Sequence, residues 1–437
     1  MSDVLATDLY EVTMALSYLR EGMTAPATFS LFVRDLPPER GFLVAAGLQT
    51  ALRYLDRLHV TDEDVEVLAD MLGRDPADLD GLRGLRFTGD VRAVPEGRIV
   101  LANEPILEIT APLPQAQLVE TFLLNQISHQ TAQASKAARC YLAARGRPVV
   151  DFGLRRTHGI EAGKHAARAG GIAGFVATSN VTAAHAYGMA ANGTMAHSYV
   201  EAFGDERAAF AAFASTTTGP VTLLVDTYET ERGVCRAADV LRLLDQPSRG
   251  GIRLDSGDLA VLAKDARRIL DAAGLHTARI VASGGLDEYA IDELVRAGAP
   301  IDVFAVGTKV GTSADAPYLD SAYKLVEYDQ RPVLKLSEGK MTVPGAKQVF
   351  RCAGMADLIG LRDEPLPFGV EPLLHRVTPS EYRRPAPESI AAAHSRLLTD
   401  LDWLPAAARR IRSPVAPVVE TTLRLADLTH ELRSSLA

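Results

Sequence analysis

The sequence predicts an α/β chain: an irregular, incomplete β/α barrel, with a flanking α+β domain formed by the N- and C-terminal parts. Three observations carry this. From about residue 149, short apolar runs alternate with helix-like stretches: VVDFG (149–153), GFVATS (174–179), GTMAHS (193–198), VTLLVDT (221–227), GIRLDS (251–256), ARIVASGG (278–285) and IDVFAVGT (301–308). Their spacing, roughly 20–30 residues, is that of one β/α unit, and such alternation implies a parallel sheet close to the eight units of a barrel. Before and after this region the rhythm is absent, and neither end looks complete alone. The expected division is 1–130 for the N-terminal part, 131–325 for the barrel and 326–437 for the C-terminal part.

The elements follow in order. Residues 8–21 form a helix, since Leu9, Val12, Thr13, Leu16 and Leu19 lie near one face. Over 91–113, Val91, Ile99, Leu101, Ile106 and Ile109 come in short β-type runs, broken by Pro95-Glu96-Gly97 and Asn103-Glu104-Pro105. A small antiparallel or barrel-like unit is expected there. Residues 115–144, rich in Ala and Leu, make one long helix or two consecutive ones. Within the barrel region, Leu259, Leu262, Ala266, Ile269, Leu270 and Ala273 form one apolar helical stripe, which Gly274 stops. After about 320 the pattern changes to β-hairpins, with a turn expected at Ser337-Glu338-Gly339.

Composition excludes several classes. The chain has 437 residues, 47% hydrophobic and 23% charged, an ordinary globular profile long enough for two or three domains. A net charge of −9 and the lack of a dense Lys/Arg stripe argue against a nucleic-acid binder. Cys140, Cys235 and Cys352 are too far apart for a disulfide framework or metal knuckle, which fits a reducing, cytoplasmic setting. The opening MSDVLATDLY has no apolar signal-peptide core, and no run reaches the roughly 18 apolar residues of a membrane span.

Polar residues collect at the strand ends. Phe152, Arg155 and Arg156 follow the first run; Thr178, Ser179 and Asn180 end the second; His197 and Ser198 end the third. Asp226 ends the fourth, Asp255, Ser256 and Asp258 the fifth, Gly284 and Gly285 the sixth, Gly307 and Thr308 the seventh. In a β/α barrel such ends converge on one mouth. Each has a plain alternative: a lone histidine is often a hydrogen-bonded structural residue, LDSGDL supplies ordinary N-cap choices, and ASGG and VGT suit tight turns. Those alternatives leave the clustering unexplained.

The residue types suggest roles. The glycine pairs let backbone N–H groups close on a phosphate. Asp255 and Asp258 suit ribose hydroxyls or Mg²⁺, an oxygen-seeking ion. Arg155 and Arg253 suit a carboxylate or pyrophosphate. His197 beside Asp226 suggests an imidazole oriented by a carboxylate, its other nitrogen left nucleophilic. Familiar nucleotide motifs fail: GIEAGKH (159–165) is one residue short of a P-loop and has His165 where Ser or Thr belongs, and there is no GxGxxG after a strand and no HExxH.

TDLYEVTMALSYLREG, DFGLRRTHG, TSNV, GTMAHSYVEAF, LVDTYET, GIRLDSGDLA, ASGGLDEY, FAVGTKVGTS and AYKLVEY together resemble nicotinate phosphoribosyltransferases, in the same order and along most of the chain. The resemblance implies that nicotinate attacks phosphoribosyl pyrophosphate (PRPP), giving nicotinate mononucleotide and pyrophosphate, with ATP hydrolysis coupled and Mg²⁺ as cofactor. It implies that His197 is the phosphorylated histidine, oriented by Asp226. Phe152 would stack on the pyridine ring, and Tyr10 would close its other face from a second subunit of a homodimer with shared sites. Arg155 and Arg253 match arginines near the base and PRPP, and Asp255 the ribose and metal carboxylate. Gly284, Gly285, Gly307 and Thr308 match the 5′-phosphate loops. Nicotinamide-using relatives carry Asp where this chain has Ser179; an Asp repels a carboxylate, so Ser179 implies the acid as substrate.

Two departures stand out. ASGG has Gly-Gly where several relatives have Asn or Asp, and the zinc knuckle of some relatives is absent. Lys136, Arg139, Lys164, Lys309 and Lys347 are further candidates for phosphate contacts. The competing expectations are a quinolinate or nicotinamide phosphoribosyltransferase, a sugar-phosphate aldolase or isomerase that would need a lysine or general base at a strand end, and an inactive homologue, against which His197, Asp226 and Asp255 speak.

Overall fold

A computed structural model describes residues 3–244, 249–337, 342–365, 368–377 and 388–436. The chain forms two compact units, Gln133–Pro317 and a second built from Met1–Ala132 with Tyr318–Ala437. The boundary expected after residue 325 moves forward. Ser321–Tyr328 is a strand pairing antiparallel with Pro26–Val33, from Val33 opposite Ser321 to Ala27 opposite Tyr328, so this stretch belongs to the flanking unit.

The unit Gln133–Pro317 holds a seven-stranded parallel sheet. Its order is Ala190–Ala191, Ala177–Thr178, Val149–Asp151, Val303–Val306, Arg279–Ala282, Gly250–Leu254, Val221–Leu224. The two outermost strands are not paired with each other, so the barrel stays open. Its strands are short and largely buried, as expected for a parallel sheet covered by helices.

Six of the seven apolar runs contain strands where expected. The third does not. GTMAHS is loop from Gly193 to Ala196; the strand is the exposed pair Ala190–Ala191, and His197 opens the helix His197–Phe203. An edge strand of two alanines buries little, and Asn192-Gly193 ends it, with the Asn192 N–H bonded to Thr178 O at 2.9 Å.

Helix Leu259–Ala272 follows its predicted stripe with one shift. Leu259, Ala266 and Leu270 are buried as expected, while Ala263 joins them and Leu262 and Ile269 are only half-buried. Gly274 stops the helix at φ 78°.

The flanking unit holds a six-stranded sheet in the order Arg331–Pro332, Ser321–Tyr328, Pro26–Val33, Pro105–Pro112, Asp90–Ala93, His375–Val377. The pairing of Asp90–Ala93 with Pro105–Pro112 is the antiparallel unit expected over 91–113. The strand Pro26–Val33 was not anticipated: seven of its eight residues are buried, so no alternation marks it. The helix Leu9–Arg20 is present, and 115–144 falls on two helices, Leu113–Leu118 and Glu120–Ala144. One hairpin turns at Asp329-Gln330, both at positive φ. The turn expected at Ser337-Glu338-Gly339 lies outside the described residues at Glu338 and Gly339.

Charge as well as apolar packing fills this unit. Arg351, fully buried, contacts Asp357 and Asp400 at 2.8 Å each, and Arg98 reaches Asp400 at 3.0 Å and Glu371 at 2.7 Å. No helix among the described residues is long and apolar enough to cross a membrane.

Candidate active site

The C-terminal ends of the parallel strands open on a cavity of about 520 Å³. Phe152, Arg155, Ser179, His197, Arg253, Asp255, Gly284, Gly285, Gly307 and Thr308 all line it, joined by Arg156, Thr194 and Ser283. A parallel sheet brings this about, because every strand ends at the same edge and hands its last residues to one mouth.

The imidazole is held on both sides. His197 Nδ1 lies 3.1 Å from Thr227 Oγ1, and Nε2 lies 4.0 Å from Asp255 Oδ2. The expected orienting carboxylate, Asp226, is engaged elsewhere: its Oδ2 accepts the Asp255 N–H at 2.8 Å and the Ser256 hydroxyl at 3.0 Å. The Val225 N–H bonds to Arg253 O at 3.2 Å, which sets Asp226 alongside residue 255 on the neighbouring strand and leaves the next residue, Thr227, to meet the ring.

Asp255 is itself fixed. Ser283 Oγ donates to its Oδ1 at 2.5 Å. Gly284 sits at φ 91° so close to the Asp255 backbone that a Cβ there would fall 1.8 Å from Asp255 O. Only glycine permits that approach.

The remaining polar groups divide into poised and engaged. Arg253 Nη1 donates to Thr194 Oγ1, and its Nε is buried with no hydrogen-bond partner among the described residues. Burial pushes the Arg253 pKa down; Asp255 and Asp226 oppose this, and Arg155 adds to it. A guanidinium so placed favours an incoming anion.

Asp258 is the N-cap of Leu259–Ala272, accepting from the Ala260 and Val261 N–H groups at 3.1 and 3.2 Å, and does not line the cavity. The plain capping alternative accounts for it. Thr308 begins a single helical turn, Thr308–Gly311, so the backbone of the loop rather than a long helix faces the cavity there.

The candidate cations are mostly paired. Lys136 contacts Glu288 at 2.5 Å and Asp315 at 3.0 Å, Arg139 meets Glu288 at 3.0 Å, and Lys164 meets Glu161 at 2.8 Å. Lys347 is buried in the flanking unit beside Glu108. Lys309, next to Thr308, pairs with Asp287 at 2.8 Å and so ties the two glycine loops together.

Tyr10 belongs to the flanking unit and is half exposed, its phenol pKa pushed up by burial and by Glu120, Glu11 and Asp8.

Among the described residues no cluster of three or more His, Cys, Asp or Glu forms a metal cage. The donors present nonetheless suit Mg²⁺, which takes one or two carboxylates and completes its shell with water and substrate phosphates. Asp255 offers Oδ2, and Asp226 Oδ1 is buried with no hydrogen-bond partner among the described residues.

Sequence reasoning missed Thr227, Ser283 and Thr194. Their signal was only adjacency, inside LVDTYET, ASGG and GTMAHS.

Comparison with known proteins agrees with this geometry. The family model described as the nicotinate phosphoribosyltransferase N-terminal domain matches residues 5–128, and that of the nicotinate phosphoribosyltransferase family matches 148–341. The chain is 45% identical over 438 residues to nicotinate phosphoribosyltransferase pncB2 of Mycobacterium tuberculosis, covering 98% of this chain and 94% of that one. It is 44% identical over 375 residues to the nicotinate phosphoribosyltransferase of Bacillus subtilis, covering 82% and 76%. The crystal structure of human nicotinic acid phosphoribosyltransferase superposes with a TM-score of 0.84 at 30% identity, covering 98% of this chain and 99% of that one. The chain belongs to the nicotinate phosphoribosyltransferase family.

Proposed function

We propose that this chain joins nicotinate to PRPP, forming nicotinate mononucleotide and pyrophosphate for NAD synthesis, and couples the reaction to ATP hydrolysis through phosphorylation of His197. The observation that carries the reading is one cavity lined by an aromatic ring, three arginines, a histidine–aspartate pair and two glycine loops, in a chain with full-length family likeness.

Each group has a task. Phe152 stacks on the pyridine ring, and Ser179 leaves room for a carboxylate that an Asp would repel. Arg253 and Arg155 supply the cationic counterpart to carboxylate or pyrophosphate. Gly284, Gly285, Gly307 and Thr308 offer backbone donors to the 5′-phosphate. Nicotinate's ring nitrogen attacks the anomeric carbon, pyrophosphate leaves, and holding both reactants in line supplies much of the rate. Asp255, with Asp226 behind it, would hold Mg²⁺, whose charge steadies the departing pyrophosphate.

His197 accepts the γ-phosphoryl group of ATP on one ring nitrogen as ADP leaves, water later removes that group as orthophosphate, and while it is in place its charge is coupled to the affinity for PRPP. The ring's placement suits this: Thr227 holds Nδ1 while Nε2 faces Asp255.

A homodimer with shared sites, Tyr10 of one chain closing the base site of the other, completes the reading. The three cysteines are unpaired, which fits a reducing cytoplasm.

The test is direct. The purified chain is incubated with PRPP and nicotinate, nicotinamide or quinolinate, with and without ATP, and nucleotide products are separated. Nicotinate mononucleotide from nicotinate, stimulated by ATP, is expected; product only from quinolinate or nicotinamide overturns the reading. Mixing Tyr10→Ala with His197→Ala chains tests sharing, since restored activity requires mixed dimers.

A further inference from the structure

Asp151 is a buried carboxylate that the proposed reaction leaves without a task. It ends the strand Val149–Asp151, is 2% exposed, and meets no cation among the described residues. Its two oxygens fasten two separate turns. Oδ1 accepts the Gly153 N–H at 2.8 Å, and Oδ2 accepts the Thr178 hydroxyl at 2.6 Å. Gly153 follows Phe152, and Thr178 precedes Ser179; both neighbours line the cavity. The Ser179 N–H adds a bond to Asp151 O at 2.8 Å, and a Cβ on Gly153 would fall 2.9 Å from Oδ1.

Thr178 Oγ1 accepts the Asn180 N–H at 3.0 Å and donates its own proton to Asp151. The Gly153 N–H needs a second acceptor. A carboxylate offers an acceptor to each; an amide would keep one acceptor and replace the other with an N–H donor, reversing the bond to Thr178. Burial raises the Asp151 pKa, and the Thr178 and Gly153 bonds pull it back. Burying a carboxylate without a cation is costly, and hydrogen bonds offset that cost only in part. That cost is incurred at the junction of the two turns that bear the base-site residues.

We propose that Asp151 is the positioning residue of the base site, holding the Phe152 ring through Gly153 and Ser179 through Thr178 at the spacing a flat pyridine carboxylate requires. This rests on the reading that the cavity takes nicotinate.

The test compares full-length wild type, Asp151→Asn, Thr178→Val, Thr178→Ser and the double variant Asp151→Asn/Thr178→Val. Nicotinate dissociation constants come from calorimetry, and KM values are measured for nicotinate and PRPP separately. Asp151→Asn and Thr178→Val are expected to weaken nicotinate about tenfold, while the KM for PRPP stays within about twofold. Thr178→Ser keeps the hydroxyl and is expected to match wild type. The double variant should be no worse than Asp151→Asn alone, since both changes break one network.

Unchanged nicotinate affinity in a folded Thr178→Val chain overturns the proposal. So does equal weakening of both substrates, or a Thr178→Ser loss as large as that of valine. If Asp151→Asn does not fold, the threonine pair decides. A wild-type chain that binds no nicotinate removes the function reading along with this inference; a wild type that binds it and variants that match it remove this inference alone.

Discussion

Nε2 of His197 stands 4.0 Å from Oδ2 of Asp255, while Thr227 Oγ1 holds the ring's other nitrogen at 3.1 Å. The imidazole is thus anchored on one edge and faces a carboxylate on the other. A phosphoryl group on Nε2 would bring two like charges together, a repulsion that Mg²⁺ held by Asp255 would offset.

Replacing His197 by alanine is therefore expected to abolish the stimulation by ATP while leaving a weak ATP-independent reaction. The PRPP affinity gained on adding ATP, of the order of 5–150-fold for a typical coupling, should vanish. Labelling with γ-³²P ATP should mark residue 197 in wild type. An alanine variant that keeps full ATP coupling rules the phosphohistidine out.

Ser179→Asp should invert substrate preference. A carboxylate there repels nicotinate and accepts a hydrogen bond from nicotinamide's amide, so the ratio of kcat/KM values should move toward the amide by about tenfold or more. The ratio is measured by competition between the two bases; an unmoved ratio removes Ser179 from the specificity argument.

Gly284→Ala should harm both stability and phosphate-site function. The new Cβ would press on Asp255 O, and the positive φ adds strain. A loss of about 2–4 kcal/mol in chemical denaturation is expected. Gly285→Ala makes the contrast. Its φ is also positive, at 68°, yet nothing lies within 4 Å of its Cβ, so its stability loss should be smaller.

Glu104 gives a pH signature in the flanking unit. It is fully buried; burial first, and then Asp357, hold its carboxyl well above the usual range of about 4.5, against the pull of Arg351. Above that ordinary value the folded chain keeps a proton the unfolded chain has released. Its contribution to stability is then full at low pH and is lost as pH rises through the folded-state pKa. Glu104→Gln, which keeps the neutral form, should flatten the fall in Tm as pH rises above about 4.5 relative to wild type. Arg351, Asp357, Asp400, Arg98 and Glu371 stay in place and affect both chains alike. Parallel Tm curves for the two proteins would show that Glu104 does not titrate in this window.

The parts legible in the sequence share a physical origin. Buried parallel strands must be apolar runs, and the residues just past them must face the mouth, so Phe152, Asp255 and the glycines could be placed from pattern and spacing. GTMAHS misled because its glycine and polar residues resemble a strand end, although the strand had already stopped at Ala191. Asp258 suits ribose or Mg²⁺ by its type, and an aspartate before a helix looks the same whether it caps or binds; in the structure it caps, accepting from Ala260 and Val261.

By itself the sequence determined the alternating barrel region, the strand ends that supply the cavity, and the likeness to its family. Only the tertiary structure decided that Thr227 rather than Asp226 meets His197, that Ser283 and Gly284 hold Asp255, that Asp151 ties two turns together, and that Pro26–Val33 and Ser321–Tyr328 pair across the flanking sheet. Local patterning reports which face of an element is apolar. It carries no record of the register between strands distant in the chain, and a shift of one residue in that register changes which side chain faces which.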